Sequence, residues 1–334
     1  MGLLGDLVSQ RYLFRGPQAQ KIFTDDRPRV VIVRLGLYLF ELPSSLDGVC
    51  RWEQRLGHPV QILSIYQAWG SQHRDFYAGE LREIHSVGKT ALITWEPWEL
   101  PRPGKSPEDQ SLFRLRNILA GHYDDYLINW ARASKLSNVP YLLRPMHEMN
   151  GNWYPWCGTV NQNQPQEYIE TWRYLHGIFR AVGAINVSWV WCPYVVSFPD
   201  SPKNRISCYY PGDAYVDWIG LDGYNWGATQ PWSRWQTFTE LFSPAYEIVT
   251  GLTDKPLIIA EGASAESGGS KPEWIRELKD LKDFFPRIEG FVWFNIQKEC
   301  AWQIDSSERA LQAFKEIVRS WSTGERWRMR RGAR

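Results

Sequence analysis

The sequence predicts an α/β protein built as a single (β/α)8 barrel, a TIM barrel, on three observations. Eight short apolar runs recur along the 334 residues, amphipathic stretches separate them, and no Pro-, Gly- or Ser-rich linker divides the chain into compositional halves. The length suits one such barrel with loop insertions. A hydrophobic share of 43% is enough for a large core, and 22% charged residues is ordinary for a soluble chain, so disorder as the dominant state is excluded.

The strand candidates, in order, are Val30–Leu37, Val60–Tyr66, Thr90–Trp95, Pro140–Pro145, Val187–Pro193, Asp217–Tyr224, Pro256–Glu261 and Gly290–Asn295. They are near-continuous apolar runs rather than clean alternations, as expected of strands covered on both faces. Helix candidates fill the gaps: Arg74–Val87, Tyr123–Leu136, Tyr168–Val182, Trp232–Thr250, Glu273–Phe285 and Arg309–Trp321. In the third of these, Tyr168, Trp172, Leu175, Phe179 and Val182 fall on one helical face. Strand-then-helix alternation calls for a parallel sheet, and eight units close naturally into a barrel. The rival, an open doubly wound sheet, would favour a Gly-rich phosphate loop after the first strand, and none is present. The predicted barrel domain therefore spans 1–325, followed by a basic tail at 326–334 that carries five Arg and no acid.

Composition narrows the function. The chain has 19 Trp, many beside Gly, Pro or Asn in predicted loops, as in Trp69-Gly70, Asn152-Trp153 and Asn225-Trp226-Gly227. Core packing accounts for most indoles, but flat apolar platforms in loops also suit the faces of sugar rings. The net charge is +1, so without the tail the body is slightly acidic, which disfavours a nucleic-acid partner. The five cysteines lack CxxC spacing and read as free or buried thiols. No run approaches a membrane span, and the start of the chain lacks a signal-peptide pattern. The expectation is a cytoplasmic monomer, or a secreted or periplasmic protein if a leader has been removed.

Catalytic groups of such barrels sit where strands end and the following loops begin. Carboxylates at those addresses are few: Glu96 and Glu99 after the third run, Glu148 after the fourth, Asp222 near the end of the sixth, and Glu261 ending the seventh. The fourth and seventh strands face each other across an eight-stranded mouth, so Glu148 and Glu261 would flank a ligand lying over it. Paired carboxylates are the equipment of glycosidic cleavage, one protonated to donate to the leaving oxygen and one ionised to attack. For a lone Glu after a strand, a surface or capping role is the ordinary reading; two at these addresses, in aromatic-rich loops, are less ordinary. No HExxH, Walker loop or Gly-x-Ser-x-Gly elbow occurs, and neither a metal nor an organic cofactor is expected.

The segment Arg144-Pro145-Met146-His147-Glu148-Met149-Asn150-Gly151-Asn152-Trp153-Tyr154-Pro155-Trp156 closely resembles the fourth-strand motif of glycoside hydrolase family 26. That family comprises endo-β-1,4-mannanases with some β-glucanases and β-1,3-xylanases. Pro256–Gly262, Ala120–Tyr126 and Trp218–Tyr224 are also similar to family segments, and the resemblance runs from about residue 30 to 320. It implies that Glu148 is the acid/base and Glu261 the nucleophile of a retaining enzyme. It further implies that His147 lies near the nucleophile or the substrate hydroxyls, that Trp153 flanks the acid/base, that Tyr224 bonds the nucleophile, and that Trp293 floors the subsite at the cleavage point. Trp95, Trp98, Asn225, Trp226 and Trp302 are further candidates for sugar contact, with Glu96 and Glu99 read equally as solvated loop residues. Arg144 is expected to be a buried partner of barrel-end carboxylates, and Asp222 a structural carboxylate. The expected substrate is a β-linked polysaccharide, β-1,4-mannan first. The alternatives are a β-glucan, a role in polysaccharide synthesis or export, and a catalytically silent carbohydrate-binding barrel.

Overall fold

The computed structural model describes residues 33–71, 74–100, 106 and 110–321. The N-terminal segment, the first residues of the expected first strand, most of the 101–109 loop and the basic tail lie outside the described residues.

Eight parallel strands close into a barrel in sequence order. They are β1 (Arg34–Tyr38), β2 (Ile62–Ala68), β3 (Thr90–Glu96), β4 (Tyr141–Pro145), β5 (Val187–Trp191), β6 (Trp218–Asn225), β7 (Leu257–Ser264) and β8 (Ile288–Phe294). Every expected strand is present. Closure is completed by β1 pairing with β8 from Arg34↔Gly290 to Tyr38↔Phe294. The interior is a small cluster of its own, with Ile62, Leu92, Leu142, Val190, Cys192, Trp218, Ile258, Ala260 and Val292. It is tightly filled: a Cβ on Gly36 would lie 2.7 Å from Val292 Cγ2. A second, larger apolar layer fills the space between the barrel and its helices.

The helix boundaries follow local chemistry. Pro165–Val182 starts three residues before its expected position, because Gln164 and Glu167 form a reciprocal capping box with Pro165 in the first turn. It ends at Gly183, whose φ of 78° only glycine adopts freely. The helix expected over Trp232–Thr250 begins at Phe238 instead, where Thr237 accepts from Glu240 N and Glu240 reaches back to Thr237 N. The freed residues form an ordered loop at the barrel mouth. Glu273–Phe285 breaks into Lys271–Arg276, a 3-10 turn and Leu281–Phe284. Asp47–Leu56 is a helix with only Gly48, Val49 and Leu56 buried, too thin an apolar stripe to stand out in the sequence. The alternation also fails once: among the described residues, only three 3-10 turns connect β5 to β6, in a segment punctuated by Pro199, Pro202 and Pro211.

Strand alternation decides which side chains reach the mouth. On β3, Leu92 belongs to the interior cluster, Thr94 bonds Arg144, and Trp95 between Thr94 and Glu96 packs outward on Trp69 and Trp130. On β8, Val292 points inward, while Trp293 packs on Trp274 and Phe314 of the helical layer. Side chains two apart share a face, so β3 presents Glu96 to the mouth and β8 presents Phe294.

Candidate active site

The turn after β4 delivers Glu148. Met146 and Glu148 adopt left-handed φ values of 50° and 53°, conformations that cost roughly 1–3 kcal/mol each for a non-glycine residue. Surrounding hydrogen bonds hold the turn: Met146 N donates to Trp95 O at 3.1 Å and Glu148 N to Cys192 O at 2.8 Å. Trp156 Nε1 donates to His147 O at 2.7 Å, and Tyr168 Oη to Met146 O at 3.2 Å. Trp153 Nε1 donates to Glu148 Oε2 at 2.6 Å. The indole lies so close to the turn that a Cβ on Gly151 would come within 2.5 Å of it. Burial first, then the charge of Glu261, push the Glu148 carboxyl up to about 8, with the Trp153 hydrogen bond and the charge of Arg144 pulling it back. At neutral pH Glu148 is thus largely protonated.

Glu261 has the opposite surroundings. Tyr66 Oη donates to Oε1 and Tyr224 Oη to Oε2, while Arg144 Nη2 donates to Oε1 at 2.5 Å. His147 Nε2 stands 4.0 Å from Oε1. Three donors converging on one group suit a carboxylate, which is acceptor-only. Register shifts on both flanks aim the residue: β6 pairs Asp222 with Glu261 after an irregularity, and β7 slips against β8 between Ile259 and Gly262. Such irregularities re-aim a side chain at a barrel rim.

Arg144 ties the two halves together. It is fully buried. Nη1 donates to both oxygens of Asp222 at 2.7 and 2.8 Å, and Nε donates to Thr94 Oγ1 at 3.0 Å. Burial works against its charge, but Asp222 and Glu261 outweigh this and hold the group above its ordinary value. His147 is shifted the other way: burial first, then the charges of Arg144 and Lys298, push it well below the usual imidazole range, so it is neutral. Its Nδ1 is buried with no partner among the described residues. His147, Glu148 and Asp222 offer donor atoms within 4.8 Å of one another, but Asp222 has already spent both oxygens on the Arg144 cation, a poor start for a metal site.

The structure brings Glu148, Glu261, His147, Trp153 and Tyr224 together. Trp302 and Trp226 flank them: Trp302 lies 5.0 Å from the Tyr224 ring, and Trp226 lies 5.0 Å from Trp302. Trp98 packs on Tyr154 and Trp156, on the other side of His147. Three expectations are corrected. Trp95 is fully buried behind the barrel wall, its Nε1 donating to Tyr126 Oη at 3.0 Å. Trp293 is fully buried likewise, with its Nε1 on Trp302 O at 2.8 Å, so it supports Trp302 from behind rather than flooring a subsite. Asn225 is consumed as a loop staple, donating to Ser264 Oγ and accepting from Gly227 N and Gln236 N. Both Trp corrections have one cause: the residues sit one position out of phase with the inward face. Arg144 and Asp222 pair as expected. Tyr66 was not singled out, because one Tyr inside an apolar run reads as core, yet it is even-numbered with inward Ile62 and Ser64. Glu96, for which a sugar-groove position and a solvated loop were both open, is buried at the strand end.

Residues 115–285 match the model of glycosyl hydrolase family 26. Endoglucanase H of Acetivibrio thermocellus is 35% identical over 299 residues, which is 87% of this chain and 31% of that protein. A mannan endo-1,4-β-mannosidase of Bacillus subtilis is 36% identical over 202 residues, 58% of this chain and 48% of that protein. The chain thus spans between about a third and a half of the length of these relatives. A GH26 β-mannanase from Bacteroides ovatus shares the fold with a TM-score of 0.66 at 16% identity, over 91% of this chain and 95% of that one. With the matched segment running from before β4 to beyond β7, and so containing both glutamates, the chain belongs to glycosyl hydrolase family 26.

Proposed function

We propose that the protein is a retaining, endo-acting glycoside hydrolase. The observation that carries this is the division between two carboxyl groups in one mouth, Glu148 buried and pushed up to about 8, Glu261 ion-paired and held by two phenols. Glu148 donates its proton to the glycosidic oxygen while Glu261 attacks the anomeric carbon and forms a glycosyl-enzyme. Glu148, now a carboxylate, then takes a proton from water as that water displaces Glu261. Tyr66, Tyr224 and Arg144 fix the attacking oxygens beforehand, so little reorganisation is left to the reaction. Trp226, half-buried and backed by the fully buried Trp302, offers a platform for the sugar chain on one side of the pair, and Trp98 lines the other.

A β-glucan is the first substrate to test. Endoglucanase H aligns with 87% of this chain, whereas the mannan endo-1,4-β-mannosidase aligns with 58%. β-1,4-Mannan, set first on the sequence alone, is the second. The test is product analysis on mixed-linkage glucan, cellulose derivatives, mannan and xylan, with the anomer followed by NMR. The expected outcome is internal cleavage with the β-anomer released first, and a loss of at least about a thousandfold, roughly 4 kcal/mol of barrier, in Glu261→Ala. Initial release of the α-anomer, or binding of polysaccharide without hydrolysis by the wild type, would overturn the reading.

A further inference from the structure

We infer that Glu96 recognises the substrate, its carboxyl group engaging a pair of neighbouring hydroxyls on one pyranose of the bound chain. This rests on the glycosidase reading above. Glu96 is the last residue of β3 and follows Leu92 and Thr94 on the inward face, so its side chain points into the mouth, one step above the Thr94 hydroxyl that holds Arg144. It is only 3% exposed, and among the described residues no cation forms an ion pair with it. The nearest charges that act on it belong to the site itself, Glu261, Arg144 and Lys298. Aromatic rings wall the same side, with Trp98 against Tyr154 and Tyr154 stacked on Trp156 at 4.4 Å.

The fold offers this carboxyl group the neighbouring Trp98 side chain, which favours its charged form, but no ion-paired cation among the described residues. Burying one without a salt-bridge partner is destabilising, and an apolar or amide side chain would meet the packing need at less cost. A group that costs stability yet faces a mouth lined with aromatic rings is what a sugar subsite requires, because buried polar groups supply the selectivity for hydroxyls that indoles lack. Burial first, then the charge on Glu261, raise the carboxyl to about 8. At neutral pH it therefore presents one donor and one acceptor, matching two adjacent hydroxyls. Glutamine has the same pair in the same shape.

The test is made in a Glu261→Ala background, with cellohexaose and mannohexaose titrated by calorimetry at pH 7. Adding Glu96→Ala should weaken the tighter of the two oligosaccharides by roughly 10- to 100-fold. Adding Glu96→Gln should keep it within about threefold. The thermal midpoints of both double variants should equal or exceed that of Glu261→Ala. Unchanged affinity with Glu96→Ala would overturn the inference, as would a folded Glu96→Gln variant binding as weakly as Glu96→Ala. Lowered midpoints in both would assign Glu96 to the fold instead. Hydrolysis by the Glu261→Ala background within about a thousandfold of wild type is a separate result, and it would count against the proposed function rather than against Glu96.

Discussion

The guanidinium of Arg144 has five N–H donors and no acceptor, and its partners are acceptors fixed on different strands: Thr94 on β3, Asp222 on β6 and Glu261 on β7. One β4 side chain therefore sets the distance between the two sides of the mouth. Lysine could hold the charge but not this fork. Arg144→Met would leave Asp222 and Glu261 buried without a cation. Losing one partner of a buried pair typically costs about 3–5 kcal/mol, and this variant should fall in that range in urea denaturation, with activity lost in parallel. A cost below about 1 kcal/mol would mean that the network contributes geometry without stability. The pairing of Arg144 with barrel-end carboxylates was legible in the sequence because an arginine inside an apolar strand has to find an acid. Tyr66 was not, since a phenol can be buried for its ring alone and nothing in its neighbours reveals which end matters.

At the scale of the strand, what was legible is the address and what was missed is the phase. All eight runs were identified, and with them the rule that Glu148 and Glu261 end facing strands. In runs apolar on both faces, however, hydropathy carries no information about which residues point inward. Trp95 and Trp293 were assigned to the mouth for their chemistry, and the alternation turns both to the helices. The phase could have been read from Arg144, a buried strand residue that must face other polar groups, and then propagated two by two and strand to strand. The consequence can be measured. Trp293→Phe should lower the thermal midpoint, at a cost of about 1–3 kcal/mol for lost packing and the lost indole hydrogen bond to Trp302, while KM stays near the wild-type value. Trp226→Ala, on a half-buried ring facing the mouth, should do the reverse, raising KM on polysaccharide several-fold with little change in midpoint. Equal effects on KM from both would contradict the outward placement of Trp293. Loops were the least legible level. The Thr237–Glu240 box that starts the sixth-strand helix was readable as a motif, but the apolar periodicity around it continues upstream and masks the boundary.

For the whole molecule, the closed barrel must absorb the cost of a mouth that buries unfavourable charges and strained backbone. Two buried carboxyl groups, Glu148 and Glu96, are pushed up to about 8, and the turn holding Glu148 is left-handed at two non-glycine residues. The pH dependence of stability shows the cost, and its sign is fixed. Below the unfolded value near 4.5 both states bind the Glu148 proton and the group does not discriminate. Between that value and about 8, the unfolded chain releases the proton while the folded protein retains it, so the folded state binds more protons and loses stability as pH rises. The slope from one such group is at most about 1.4 kcal/mol per pH unit. Glu148→Gln removes this dependence. Its stabilisation over wild type should be smallest near pH 4.5, grow steadily through neutral pH and level off above 8, as thermal midpoints across the range would record. The same proton is the one donated to the leaving oxygen, so kcat/KM of the wild type should fall as pH rises through about 8. A Gln variant whose advantage does not change with pH would show that Glu148 is already ionised in the folded protein. The barrel would then carry no cost for a protonated acid at this position, and the alkaline limb of activity would belong to another group.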